Sequence, residues 1–120
     1  MAKREPVPFA RIRAEVLRIV AAIPEGRFTT YGSIARPLGV NPRHVASVLA
    51  RLEEGESETL PWHRVVAAEG RLSQGMEEGL RAKQRSRLEK EGFVIDARGF
   101  IVDPDRRFHA IGSRGGGNAG

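Results

Sequence analysis

The sequence contains no cysteine among its 120 residues. This absence excludes disulfide bonds, metal sites built on thiolates and catalysis by a thiol nucleophile. Aromatic residues are also scarce, at 6%, with one Trp and one Tyr. Trp62 is therefore distinctive, because the only indole of the chain stands directly before a His and an Arg, after Pro61.

Long apolar runs are absent as well. No segment approaches the roughly 20 apolar residues that a membrane-spanning helix needs. The stretch MAKREPVPFARIRAEV has no apolar run typical of a signal peptide. We therefore expect a cytoplasmic protein, associated with the nucleoid if it is bacterial, with no membrane partner.

Basic residues outnumber acidic ones, which gives a net charge of +5 and a pI of about 10.7. An excess of basic residues in a small chain favours a polyanionic partner, and nucleic acid is the first candidate. The same surface charge could also serve solubility alone.

The spacing of apolar residues predicts two helices before residue 40. The first covers residues 9–23 and ends before Pro24. The second is capped by Thr30 and ends at Pro37 and Gly39.

Asn41-Pro42 begins a third helix, since Asn is a favourable N-cap and Pro is favourable in the first turn. Its inward positions are Val45, Val48, Leu49 and Leu52. Its outer face carries His44, Ala46, Ser47, Ala50 and Arg51. Two helices joined by a short Gly-containing turn are typical of a DNA-binding helix-turn-helix, although a plain helical hairpin has the same pattern.

The second half alternates polar and β-rich segments. The pattern predicts an acidic loop over 53–58, a small hairpin or wing over 64–73, a helix over 76–92 and two strands over 93–102. From residue 103 the periodicity is lost.

These elements predict a mainly α fold with small β elements, a single winged helix-turn-helix domain. We place the domain over residues 1–112, followed by a flexible Gly-rich tail over 113–120.

Several motifs together resemble the DNA-binding domain of O6-alkylguanine-DNA alkyltransferases. They are EGRFTTYGSIARPLG, the third helix with its small-residue face, LPWHRVV, EGRLS and RLEKEG. The family motif Pro-Cys-His-Arg-Val carries a reactive Cys, and here Trp62 occupies that position. The substitution resembles the alkyltransferase-like proteins, a subfamily that binds alkylated guanine without repairing it.

The resemblance implies a DNA-binding role for six residues. Tyr31 matches the tyrosine beside the phosphate of the lesion, and Arg43 matches the arginine finger that fills the space left by the flipped base. The third helix matches the recognition helix, which this family places in the minor groove. The six positions are Thr30, Tyr31, Arg43, Ala46, Ser47 and Ala50.

The resemblance also implies a pocket for the flipped base. The lesion-binding residues would be Trp62, Arg64, Leu72 and Ser73. His63 and Glu91 match the pair that deprotonates the Cys in active members, so here they would be a vestigial relay.

Two departures from the family pattern bear on these assignments. The turn before Arg43 is about two residues shorter than the family pattern, and an ungapped alignment on Pro42 would put Ala46 at the finger position. The pocket-wall tyrosine of active members falls near Gly75, which leaves that wall more open.

The residues favour a binding protein rather than an enzyme, because alkyl transfer needs a deprotonated nucleophile and an indole cannot supply one. We expect a monomer without cofactor or metal that binds O6-alkylguanine in double-stranded DNA and flags it for nucleotide-excision-repair proteins. One alternative is a sequence-specific winged-helix transcription factor, which would need longer polar side chains on the outer helix face. Another is a hydrolase that uses His63 and Glu91, without any activated nucleophile or metal-ligand spacing beside them.

Overall fold

Six helices and a two-stranded parallel sheet make up residues 9–111, the part of the chain that this computed structural model describes. The helices are α1 (Phe9–Ala21), α2 (Tyr31–Leu38), α3 (Pro42–Ala50), α4 (Glu54–Thr59), α5 (Glu78–Lys90) and α6 (Pro104–Arg107). The strands are β1 (Thr29–Thr30) and β2 (Val65–Val66), and 3-10 turns cover Trp62–Arg64 and Ala68–Gly70. The fold is mainly helical with small β elements, as predicted.

The first three helices pack around one apolar cluster. In α1 the buried residues recur one turn apart, which confirms the apolar face predicted for this helix. They pack against α2 and α3 through Ile12, Val16, Val20, Ile34, Val45 and Val48. This packing holds α3 against the body of the domain.

Local capping sets the bounds of α2 and α3, as the sequence predicted. Thr30 Oγ1 accepts a hydrogen bond from the Ser33 N–H at 3.1 Å. Asn41 Oδ1 accepts one from the Arg43 N–H at 2.8 Å. Between the helices, Gly39 has a φ of 70°, a left-handed conformation that ends α2 and that glycine adopts without strain.

The second half packs around another apolar cluster. Strand β1 pairs with β2 in parallel, in the register Thr29 to Val65 and Thr30 to Val66. The predicted wing forms as an antiparallel contact between Ala67 and Arg71. The strands predicted over 93–102 are reduced to an antiparallel bridge between Ile95 and Ile101. These segments pack on α5 through Phe28, Val66, Leu72, Leu88, Phe93, Ile95 and Ile101.

The prediction of an acidic loop over 53–58 is wrong, because this segment forms α4. Glu53 and Glu56 form a capping box at its N-terminus. Glu56 also forms a salt bridge with Arg13 of α1, so a contact distant in sequence supports the helix.

Two further helix predictions need correction. Pro37 lies inside α2 instead of ending it, since its missing N–H affects only the last turn. The segment after residue 103, where periodicity is lost, contains α6. It is followed by Phe108, whose ring lies edge-on against that of Phe28 at 5.6 Å.

The tail predicted over 113–120 and the domain bounds at residues 1 and 112 lie outside the described residues. Within residues 9–111, no helix is long and apolar enough to cross a membrane.

Candidate nucleic-acid interface

Trp62 is held in place by its surroundings. It begins a 3-10 turn directly after Pro61, and only 7% of its surface is exposed. The indole N–H donates a hydrogen bond to the Ser57 carbonyl of α4 at 3.0 Å. The guanidinium of Arg87 lies over the indole ring, 5.5 Å from its centroid. The side chain therefore has one defined orientation in the free protein.

The predicted relay residues are in contact. His63 Nε2 lies 2.7 Å from Glu91 Oε2. Arg64 donates to the same carboxylate through Nε at 3.0 Å and through Nη2 at 2.7 Å. Glu91 also accepts the Gly26 N–H at 2.8 Å, and Arg64 Nη1 donates to the Ile23 carbonyl at 2.7 Å. This network joins three segments that are distant in sequence.

The electrostatics of this network keep Glu91 charged and His63 neutral. Burial would raise the pKa of Glu91, but the hydrogen bonds from Arg64, Gly26 and His63 outweigh it and lower that pKa to about 2. Burial lowers the pKa of His63, and the nearby Glu91 opposes this effect only in part. A neutral His63 donates its Nε2 proton to Glu91, and its buried Nδ1 has no hydrogen-bond partner.

Tyr31 and Ser73 are brought together from different parts of the chain. Tyr31 is the first residue of α2, and the Ser73 side chain lies close enough to its hydroxyl to oppose, in part, the effect of burial on its pKa. Burial raises the pKa of the Tyr31 hydroxyl, so it remains a neutral donor at physiological pH. The neighbouring Thr30 uses its side-chain oxygen to cap α2, which assigns it a structural contact in the free protein.

Helix α3 presents a surface of short side chains beside exposed cations. Arg43 and Ala50 are exposed, whereas Ala46 and Ser47 are half-buried. The Phe9 ring stacks on His44 at 5.2 Å, which ties the start of α1 to the first turn of α3. Small residues on this face allow another backbone to approach closely.

Leu72 is part of the apolar core. It is 3% exposed and belongs to the second apolar cluster. Leu72 and Gln74 line a cleft of about 540 Å³, and Ser73 between them lies near the Tyr31 hydroxyl. The rest of the cleft lining is Glu78, Arg81, Ala82, Arg85, Ala97, Arg98 and Gly99. The lesion contact of Leu72 stays a prediction.

Three residues that sequence reasoning missed support the Trp62 turn. Ser57 and Arg87 contact the indole, and the Gln84 amide donates to the carbonyls of His63 at 3.3 Å and Val65 at 2.9 Å. Gln84 is fully buried. The helical spacing of Gln84 and Leu88 could have indicated an inward-facing Gln, but no local signal links Ser57 or Arg87 to Trp62.

Acidic and histidine side chains are not clustered as a metal would require. Within the described part of the chain, no group of three or more His, Cys, Asp or Glu side chains could hold a metal ion.

Comparison with known proteins gives a consistent family assignment. Residues 11–93 match the family model described as the DNA-binding domain of 6-O-methylguanine DNA methyltransferase. A relative named DNA base-flipping protein, from Escherichia coli, is 47% identical over 89 residues, which are 72% of this chain and 65% of the relative. Alkyltransferase-like protein 1 of Schizosaccharomyces pombe is 37% identical over 82 residues, 68% of this chain and 75% of the relative.

A solved structure has the same fold over nearly its whole length. The crystal structure of S. pombe Atl1 in complex with damaged DNA containing O6-carboxymethylguanine superposes with a TM-score of 0.72 at 27% identity. The superposition covers 85% of this chain and 97% of Atl1. The chain therefore belongs to the alkyltransferase-like family, which shares the DNA-binding domain of 6-O-methylguanine DNA methyltransferase.

Proposed function

We propose that this protein binds O6-alkylguanine in double-stranded DNA by flipping the nucleotide into a pocket beside Trp62, and that it leaves the alkyl group in place. The observation that carries the proposal is a complete His63–Glu91–Arg64 network around a motif whose nucleophile position holds Trp62. With no cysteine in the chain, the network has no thiol to activate.

The network has a structural reason to persist without catalysis. Glu91 binds two side chains of the Trp62 turn and the backbone of Gly26, so it fixes the turn to the segment after α1. Removing Glu91 would leave the partly buried cation of Arg64 without its partner. The contacts of Glu91 with His63, Arg64 and Gly26 thus serve to position the turn that carries Trp62.

Names and complexes of relatives support the choice of ligand. The E. coli relative is named for base flipping, and the S. pombe structure holds DNA with an O6-carboxymethylguanine. An alkyl group at O6 weakens the base pair, so the cost of extruding this base, a few kcal/mol for a sound one, is reduced.

Tyr31, Arg43 and the small-residue face of α3 are the proposed contacts with the duplex. Tyr31 would bind the phosphate next to the lesion, and Arg43 would occupy the space of the flipped base. The short side chains of Ala46, Ser47 and Ala50 suit close approach to a minor groove, which carries little sequence information. The same shortness disfavours a transcription factor that reads the major groove.

We further propose that the protein acts as a cytoplasmic monomer and that nucleotide-excision-repair proteins receive the lesion. The absence of a nucleophile supports this step, since a bound and unrepaired lesion needs another repair activity.

The test compares one duplex that carries a single O6-methylguanine with the same duplex undamaged. We expect tighter binding to the damaged duplex, with intact O6-methylguanine recovered after long incubation. Equal affinity for the two duplexes would contradict lesion recognition. A methylated protein detected by mass spectrometry would contradict binding without transfer.

A further inference from the structure

We infer that Arg87 is a positioning residue that, together with the Ser57 carbonyl, holds the Trp62 indole in the orientation that meets the alkylated base. This inference rests on the proposed function, and it adds a residue that determines lesion specificity without touching the lesion itself.

One carbonyl and one guanidinium fix the indole from two sides. The Ser57 carbonyl accepts the Trp62 N–H at 3.0 Å and an Arg87 Nη1–H at 3.3 Å. The same guanidinium lies 5.5 Å from the ring centroid, within the range of a cation–π contact. A rotation of the indole would break the hydrogen bond and the cation–π contact together.

Arg87 belongs to a row of side chains, on α5 and at its C-cap, that contact the Trp62 turn. Gln84 donates to the carbonyls of His63 and Val65, and Glu91 binds His63 and Arg64. Positions 84, 87 and 91 are spaced three and four residues apart, so their side chains lie on one helical face. Of these three, Arg87 is the one that contacts the indole itself.

This arrangement determines what Trp62 can offer to a ligand. Its N–H is already bonded to Ser57, one ring face lies under Arg87, and only 7% of its surface is exposed. A flipped base that reaches Trp62 would therefore meet an apolar part of the ring and no free hydrogen-bond donor. Such a surface matches an alkyl carbon better than the bare carbonyl oxygen of an undamaged guanine.

The experiment uses Arg87→Met, which removes the charge and the fork of N–H donors but keeps an unbranched side chain. Lys83→Met is the matched control, since Lys83 is exposed and its loss removes one positive charge from the same helix. Because Trp62 is the only Trp, the fluorescence of the free protein reports on this site alone.

For Arg87→Met we expect a shifted emission maximum and stronger quenching by acrylamide than for Lys83→Met. The ratio of affinities for O6-methylguanine duplex and undamaged duplex should fall about threefold to tenfold. Affinity for undamaged duplex should change as little as in Lys83→Met. Arg87→Lys keeps a cation but not the planar guanidinium. Its emission maximum, quenching and affinity ratio should therefore lie between those of Arg87→Met and the wild type.

Unchanged emission and quenching in a folded Arg87→Met protein would overturn the positioning role, and an affinity ratio equal to that of Lys83→Met would overturn the specificity role. If Arg87→Met does not fold, the same comparison is made on Arg87→Lys. If the wild type shows no lesion preference, the proposed function fails, while the fluorescence of the free variants still decides whether Arg87 holds Trp62.

Discussion

At the scale of single residues, Trp62, the proposed lesion contact, is also part of the packed interior. Its ring is buried against α4 and α5, and its N–H is bonded to Ser57. We therefore expect a large truncation at this position to change stability together with the proposed lesion contact. Substitutions that separate the two effects are more informative than truncation alone.

Trp62→Ala should lower the free energy of unfolding by about 3–5 kcal/mol, since a buried aromatic ring is lost. The ratio of lesion to undamaged affinity should fall roughly tenfold to a hundredfold, which corresponds to about 1–3 kcal/mol of base–aromatic contact. Trp62→Phe keeps a ring and loses the N–H bond, at a cost of about 1 kcal/mol. A thermal melt and both affinities, measured on each variant, give these values. A folded Trp62→Ala protein with an unchanged ratio would show that Trp62 does not contact the lesion.

Arg43→Ala should weaken binding to the damaged duplex more than binding to the undamaged one, because a side chain that replaces a flipped base stabilises only the flipped state. Arg51→Ala is the matched control, since Arg51 is exposed at the other end of α3. Gel-shift titrations with both duplexes measure the difference. If Ala46→Arg tightens lesion binding while Arg43→Ala changes nothing, the finger belongs at position 46.

At the scale of elements, backbone conformation decides where substitutions are tolerated. Gly70 ends the wing turn with a φ of 80°, and a Cβ there would meet Ile101 and Pro104 at 3.5 Å. Gly55 lies in the first turn of α4 with open space around it. The two glycines are therefore expected to respond to alanine in opposite ways.

Gly70→Ala should lower the free energy of unfolding by about 1–2 kcal/mol, the cost of a left-handed conformation for a residue with a Cβ. Gly55→Ala should raise it by roughly 0.5 kcal/mol, because alanine loses less backbone entropy in a helix. Urea denaturation of both variants supplies the comparison. Equal effects of the two substitutions would mean that the wing turn relaxes around the new methyl group.

At the scale of the whole molecule, one partly buried carboxylate, that of Glu91, joins the segment after α1, the Trp62 turn and the end of α5. The Glu91 side chain is 10% exposed, and that of Arg64 is 16% exposed. Their interaction is therefore shielded from salt more than the surface pairs of this protein. Stability and site geometry consequently depend on the same charge.

Acid should destabilise the fold in two stages. The pKa of His63 is lowered from 6.5, so below that pH the unfolded chain takes up the proton first and stability begins to fall. The pKa of Glu91 is lowered from 4.5 to about 2, so its contribution is present above pH 4.5 and is lost as the pH falls toward 2. The second stage should amount to about 3 kcal/mol. Unfolding free energies measured from pH 8 to the acid limit of folding, at constant ionic strength, should be level above the ordinary pKa of His and fall with decreasing pH in the two stages (at most about 1.4 kcal/mol per proton and pH unit).

His63→Gln should remove the loss of unfolding free energy that begins below pH 6.5. Glu91→Gln should remove the loss that occurs between pH 4.5 and about 2. Glu91→Gln should also cost roughly 3–5 kcal/mol at neutral pH, since Arg64 keeps a buried charge without its partner. Glu58→Gln, at an exposed position of α4, is the control. If the unfolding free energy of Glu91→Gln depends on pH in the same way as that of the wild type, the loss of stability at low pH does not come from Glu91.

Local signals in the sequence determined much of the first half of the fold. Thr30 and Asn41 begin their helices because a short polar side chain can satisfy the N–H groups of its own first turn, which needs no distant partner. The left-handed Gly39 and the apolar face of α1 are local in the same sense. The absent cysteine and the motif around Trp62 determined the family and the chemistry that is excluded, since both can be read from residue identity alone.

Only the tertiary structure decided the elements that depend on distant partners. Helix α4 has a local capping box, but the salt bridge that ties it to the body of the domain comes from Arg13 of α1. Strand β1 has a partner in β2, more than thirty residues further along the chain. The surroundings of Trp62 belong to the same class: Ser57 and Arg87 meet the indole from two different helices. Periodicity and capping describe the chain over a few residues, whereas these contacts form only when apolar clusters bring separate segments together.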